Sequence, residues 1–272
     1  MAHNLAYRGV DDAQSLFHLY GDKAAAENVA LLDHAKGLYL PPGKLIMSKG
    51  AYQVGATPRK TVEDERVVEM LIGTRGATSR IHDRVESDWW GSWSMLEPGR
   101  LEVDGGERWL DVRILEWPDD PWTIHPEVNH FMSHDMRIVA CNPAWQGGMR
   151  PSIEVTGTGV LTIPGITNLT DRDMWLNVVG TGGGTVKIQD GLTSRIVTIP
   201  QPLTEGWKVY TDPQQRTLEV DSGLPLWPDI MRGITFRSPI PPGTENASIT
   251  VQVSSVATVR AEMIDQYSRP WG

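Results

Sequence analysis

Beyond residue 150 the sequence breaks into short apolar runs separated by turn residues. The runs are Ser152–Thr156, Gly159–Ile163, Met174–Val179, Thr185–Gln189, Arg195–Ile199, Trp207–Thr211, Arg216–Val220, Gly233–Arg237 and Ala247–Ser254. Runs of this length bounded by Gly, Pro and Asp read as strands. None sustains the 3.6-residue period of an amphipathic helix. Regular short strands of this kind predict a β-sandwich or jelly roll over about residues 150–255. Composition points the same way: Gly (27) and Pro (19) are frequent in the 272 residues, which favours turns over long helices.

The first half reads differently. Residues 1–60 give no clear periodicity, and we expect an extended arm with some local structure. Ala24–Ala35 has helix-forming composition but is soon broken by Gly37 and Pro41-Pro42-Gly43. Short strands at Leu16–Leu19 and Gly37–Leu40 are equally compatible. Arg66–Ile72 is a strand candidate. A helix follows, capped by Thr78 or Ser79, with Ile81, Val85, Trp89 and Trp93 recurring every four residues. Leu101–Val103, the turn Asp104-Gly105-Gly106 and Arg108–Trp117 predict a hairpin. Met136–Cys141 is a further strand. Gln146-Gly147-Gly148 reads as a hinge, dividing the chain into 1–148 and 149–272, with Val256–Gly272 as an extended tail.

Net charge is −9 and the isoelectric point about 5.3. Residues 1–150 carry 16 Lys+Arg against 22 Asp+Glu, and residues 151–272 carry 9 against 12. Neither half has a basic stripe, which argues against nucleic acid as a partner. One cysteine, Cys141, allows no internal disulfide and no multi-cysteine zinc site. The first residues lack a basic segment followed by an apolar core, and no window reaches 18 apolar residues. The expectation is therefore synthesis in a cytoplasm, with no membrane span.

Several residues are of types that could carry chemistry. His125, His130 and His134 lie close together, but His130-Phe-Met-Ser-His134 lacks the glutamate of a metalloprotease helix. We read them as exposed loop histidines rather than metal ligands. Thr181-Gly182-Gly183-Gly184-Thr185 lacks the Lys-Ser/Thr ending of a phosphate loop and reads as a hairpin turn. Cys141 reads as a buried, inert thiol. Acidic pairs such as Asp119/Asp120 and Asp171/Asp173 read as turn residues rather than a glycosidase pair. No catalytic, metal or cofactor site is assigned. The tryptophans stand out, at 11 against 3 Phe. Trp89, Trp90, Trp93, Trp109, Trp117 and Trp122 fall within 34 residues. Trp89 and Trp93 fit a core stripe and Trp90 and Trp122 fit no simple core pattern; all six are candidates for subunit-interface contacts, where a large ring with a polar edge is useful. A sugar-stacking platform is the alternative.

The order of these pieces resembles a known group. A strand and a Trp-rich helix precede Gly99-Arg-Leu-Glu-Val103, Glu107-Arg-Trp-Leu-Asp-Val-Arg-Ile114 and Met136-Arg-Ile-Val-Ala-Cys-Asn-Pro-Ala-Trp145. This is similar to the minor tail proteins of actinobacterial long-tailed phages, and through them to the siphophage distal tail protein family. Gly37-Leu-Tyr-Leu-Pro-Pro42, Gln53-Val-Gly-Ala-Thr57, Met174–Gly180, Ile188–Gly191 and Ile240–Val253 resemble the same group. The resemblance implies a mainly β chain: an N-terminal belt-like β domain with one helix, then a galectin-like β-sandwich. It implies a structural virion protein, not an enzyme. Such a protein forms a homo-oligomeric ring, a hexamer, between the tail tube protein and the tail-tip hub proteins, and needs no cofactor. We expect the hairpin Leu101–Trp117 to pair with a neighbouring subunit by strand addition. A carbohydrate-binding module contacting host glycans is the alternative function.

Overall fold

The computed structural model describes residues 3–33, 35–119, 126–213, 215, 218–223, 231 and 233–272. Trp122, His125, and Arg216 at the start of one expected strand lie outside them. The chain forms two units: Met1–Gln146 with Ser268–Gly272, and Gly147–Tyr267. The first boundary thus falls two residues before the expected 148/149. The last five residues return to the first unit.

In the first unit, β1 (Leu5–Arg8), β2 (Leu16–Tyr20), β3 (Val29–Leu31), β4 (Gly43–Ser48), β5 (Thr57–Glu63) and β6 (Arg66–Arg75) precede helix α1 (Ser79–Gly91). Strands β7 (Gly99–Val103), β8 (Arg108–Glu116) and β9 (Phe131–Ala140) follow. One antiparallel ladder runs β2-β1-β7-β8 and another β3-β6-β9-β8. Strand β8 serves both. Its first residues pair β7, and Arg113 and Ile114 pair β9. A strand that changes partners along its length turns a corner between layers.

An aromatic cluster fills the space beside these ladders. Tyr7 stacks on Trp93 at 3.7 Å, and Trp89 meets Tyr7, Phe17 and Trp93 edge-on. Burying one such ring removes about 150–250 Å² from water, roughly 4–6 kcal/mol at 25 cal/mol per Å². Thr78 caps α1 by accepting from the Ile81 amide at 3.3 Å. Val85, Trp89 and Trp93 of the expected stripe are buried, but Ile81 is 44% exposed and His82, 1% exposed, takes its place on the buried face.

The amino-terminal residues are no arm. Leu5, Tyr7, Phe17 and Leu19 are buried core on β1 and β2. The described residues of Ala24–Ala35 form no helix; turns lead into β3. Gly37–Leu40 forms bends rather than a strand. Strand β9 starts before the expected Met136 and includes His134, so His134 is buried rather than in an exposed loop. Cys141, just past its end, is exposed, contrary to the buried thiol expected.

The second unit contains most of β10 (Trp145–Pro151), then β11 (Val155–Asn168), β12 (Leu176–Gly182), β13 (Val186–Gln189), β14 (Ile196–Thr198), β15 (Gly206–Tyr210), β16 (Leu218–Val220) and β17 (Thr244–Tyr267). The expected hinge at 146–148 is therefore strand. The expected tail from Val256 is the second half of β17, which is 24 residues long. Strand β11 merges two expected strands, and Gly233–Arg237 is irregular. That irregular segment is held by the buried Asp190. Its carboxylate accepts from the amides of Arg237 and Ser238 at 3.0 Å and pairs with the Arg195 guanidinium.

Strand β17 organises this unit. Its Val251–Val253 stretch pairs β13, its Ala257–Met263 stretch pairs β12, and β11 runs along its other side. Both β12 and β13 face β17 in one unbroken register. Thr181–Thr185 is therefore not a hairpin turn but a bend within one strand line. Gly182, Gly183 and Gly184 all have positive φ, which side-chain-bearing residues rarely adopt. Ser254 donates its amide to the Gly183 carbonyl at 2.9 Å there. Opposite, β11 slips register between Gly157 and Gly159. Three neighbouring strand lines thus bend at one level, folding the ladder over a shared aliphatic core of Val178, Ile188, Val209, Ile249 and Val251 among others. The result is a sandwich.

Candidate assembly site

The residues left over by the two cores define what the molecule can offer a partner. Among the described residues, strands β4 and β5 pair only with each other, as a two-stranded sheet. Leu45, Ile46 and Met47 are exposed, and Tyr52 and Val54 in the connecting loop are 102% and 101% exposed. The loop is shaped locally: Gln53 accepts from the Gly50 amide at 3.1 Å and donates to Thr57 at 2.8 Å. Lys44 pairs with Asp64 at 2.7 Å at the base, which raises the lysine's pKa. A lone two-stranded hairpin is marginally stable in water. Four of the chain's 25 basic residues and none of its 34 acidic ones lie in 43–60. This finger is the least self-sufficient part of the first unit.

The hairpin expected to reach a neighbour is occupied at home. Strand β7 pairs β1 and β8 pairs β9, so both outer edges of Leu101–Trp117 carry strands of the same unit. Leu101, Val103, Leu110 and Val112 are buried. That expectation is corrected: strand addition needs an unpaired edge.

The candidate tryptophans separate into groups. Trp89 and Trp93 are buried in the aromatic core, so their rings are not presented at the surface. Trp109 is half-buried beneath the Arg100 guanidinium, 5.1 Å from the ring centre. Trp90 is half-buried and meets Trp117 edge-on at 5.9 Å; Trp117 is 52% exposed. Trp122 lies outside the described residues. Trp90 and Trp117 therefore form the presented pair.

That pair rests on a polar cluster. The Glu86 carboxylate accepts from Trp90 Nε1 at 2.9 Å and from the Thr74 hydroxyl, and bonds His134 Nε2 at 3.0 Å. His82 Nε2 is 3.3 Å from the Thr74 hydroxyl. Burial works against ionising Glu86, but the bonds from His134, Thr74 and Trp90 outweigh it and hold the carboxyl below its ordinary value. Sequence reading missed this cluster. Glu86, His82 and Trp90 at i, i±4 on a helix were the available signal. His130 sits at a bend with positive φ.

A cleft of about 640 Å³ opens elsewhere on the first unit. Leu5, Tyr20, Leu31, Leu32, Leu38 and Trp271 line it with Asp33 and His3. Trp271 stacks on His3 at 4.4 Å. The terminal segment is tied down by Arg66, which donates to the Ser268 carbonyl at 3.0 Å, and by Arg108, which donates to those of Arg269 and Gly272 at 3.0 Å. No residue of 43–63 lines the cleft.

No protein-family model matches the sequence, and no curated sequence is detectably similar to it. Solved structures do match. The Dit protein (gp 19.1) of phage SPP1, described as a paradigm of the hub adsorption apparatus in phages infecting Gram-positive bacteria, superimposes with a TM-score of 0.61 at 10% identity. The match covers 98% of this chain and 99% of that one. A chain of the phage P2 baseplate, in its activated conformation with Ca, matches with a TM-score of 0.58 at 8% identity over 97% and 98% of the two chains. The same baseplate with Sr gives 0.57 at 8% identity over 96% and 98%. Across both its units, this mainly β chain has the fold of phage hub and baseplate proteins.

Proposed function

We propose that the chain is a structural virion protein of a long-tailed phage. It is a distal tail protein that joins the tail tube to the tail-tip or baseplate proteins. The observation that carries this reading is the end-to-end likeness to a hub protein, covering both units in order. The ring it builds is a homo-oligomer, a hexamer, at the tail tip, with the tail tube protein and the tail-tip hub as neighbours. Its work is assembly rather than catalysis.

The exposed finger supports this reading. Ring subunits meet head to tail, so each needs two different and complementary surfaces. A basic, apolar finger on an otherwise acidic chain is one such surface. The Trp90–Trp117 pair is a second candidate contact, and the half-buried Trp109 a third.

The carbohydrate-binding alternative is weaker. In the sandwich Trp207 is buried, and its indole donates to the Gly182 carbonyl at 2.9 Å, so it offers no stacking face. The test is location. Gold-labelled antibody against the chain should mark tail tips, and virions blocked in its synthesis should accumulate tails without tips. Label on capsids, or normal tips without the protein, would refute the proposal.

A further inference from the structure

We propose that residues 268–272 are a displaceable strap: they occupy a peptide-binding bed on the first unit, and a segment of another molecule that presents a proline–aromatic pair takes their place. The proposal goes beyond the hub reading and does not rest on it.

The strap is held as a bound peptide is held. Strand β17 ends at Tyr267 and Ser268–Pro270 are bends, so side chains rather than a sheet supply its hydrogen bonds. Arg66 donates to the Ser268 carbonyl, and Arg108 to the Arg269 and Gly272 carbonyls, each at 3.0 Å. Every residue carries a carbonyl, so these bonds recognise backbone and not one sequence. Side-chain recognition falls to two neighbours: Pro270 is buried and Trp271 half-buried. Trp271 lies flat on His3, with ring centres 4.4 Å apart, and meets Tyr39 at 6.0 Å. His3 is itself fixed, with Nδ1 2.8 Å from the Asp104 carboxylate. Aromatic grooves that take proline-rich segments use the same pairing of proline with flat rings.

The bed is larger than the strap. The cleft of about 640 Å³ runs beside Trp271, and Tyr20 and Leu32 on its walls are exposed. Tyr39, against Trp271, is exposed as well. A segment that replaced Trp271 and continued into the cleft would cover apolar surface that the strap leaves in water, which favours the exchange. Arg66 favours exchange over an empty bed. Its guanidinium is fully buried and donates to the carbonyls of Gly37, Leu38, Pro143 and Ser268. A buried charge is costly without its hydrogen bonds. Covalent attachment gives the strap an effective concentration on the order of millimolar or above. A competitor therefore wins by covering more of the bed, not by matching the strap.

The test uses the full chain and a fluorescently labelled peptide, Tyr-Ser-Arg-Pro-Trp-Gly, which repeats residues 267–272. Pro270→Ala with Trp271→Ala removes the strap's anchors and leaves the bed. This variant should bind the peptide at least tenfold more tightly than the wild type, whose bed is already full. Adding Arg108→Ala should weaken that binding at least tenfold, as should replacing the peptide by Tyr-Ser-Arg-Ala-Ala-Gly. In the wild type, saturating peptide should speed hydrogen exchange at the amides of 268–272 and leave those of β1 and β7 unchanged. A folded double variant that does not bind the peptide would overturn the proposal. Equal binding by variant and wild type would place the peptide elsewhere and also refute it. N-acetyltryptophanamide that binds as tightly as the peptide would show a pocket for small aromatic molecules, again against the proposal. Should the double variant not fold, exchange decides: amides of 268–272 that keep their rate at saturating peptide would overturn it. None of these results bears on where the chain sits in a virion.

Discussion

In hairpin β7–β8, Leu101, Val103, Leu110 and Val112 are buried and each outer edge is paired. In hairpin β4–β5, of the same unit, Leu45, Ile46 and Met47 are exposed and neither outer edge has a partner strand among the described residues. The first is held by its own fold. The second has local hydrogen bonds and one base ion pair, too little to hold two strands in water. Under the proposed function, the difference separates what the subunit needs in order to fold from what it can offer a partner.

Substitutions can break that comparison. The largest effect is expected at Trp89, which touches Tyr7, Phe17 and Trp93. Trp89→Ala should cost about 3–5 kcal/mol in urea unfolding. A loss under 1 kcal/mol would mean the aromatic cluster is not the core. Leu110→Ala, on the buried face of β8, should cost about 2–4 kcal/mol, and a neutral result would put that hairpin in the same class as the finger.

Acid sharpens the comparison further. The folded-state pKa of Glu86 is depressed, so its contribution is present above the ordinary glutamate value of about 4.3 and is lost as pH falls through the lower folded value. Stability should fall below about pH 4, and Glu86→Gln should flatten that dependence while costing roughly 1–2 kcal/mol at neutral pH. An unchanged acid profile would show that the cluster is not coupled to folding. The smallest effect is expected at the finger. Tyr52→Ala should change monomer stability by no more than about 0.5 kcal/mol while lowering assembly. A large loss of stability there would place the tip in the monomer's own core.

Much of this was legible beforehand, for physical reasons. The strand rhythm after residue 150, the Thr78 cap and the Asp104-Gly105-Gly106 turn are local features, and local chemistry decides them. The face of α1 was misread at one position because His82 is buried by a hydrogen-bonded cluster rather than by apolarity, which a hydrophobic pattern does not register. The three glycines at 182–184 announce positive φ, but a hairpin and a strand corner require the same residue, and only the pairing with β17 distinguishes them. Strand β2 falls where a short strand at Leu16–Leu19 is one of the compatible readings, whereas β1, four residues long, is too short to display a period. The finger was invisible because a short apolar strand looks the same in sequence whether its own fold covers it, as in β7, or leaves it exposed, as in β4. Among the candidate tryptophans, the four-residue spacing puts Trp89 and Trp93 on a core stripe, where both are buried, while nothing local marks Trp117 as exposed.

The central claim is that the first unit folds without its finger but assembles through it. The direct measurement is sedimentation of the wild-type chain beside a variant in which residues 44–62 are replaced by a short Gly-Ser link. The account predicts a closed oligomer at low salt for the wild type, and a monomer with an unchanged melting temperature for the shortened chain. Equal oligomers from both, or a shortened chain that no longer melts cooperatively, would contradict it.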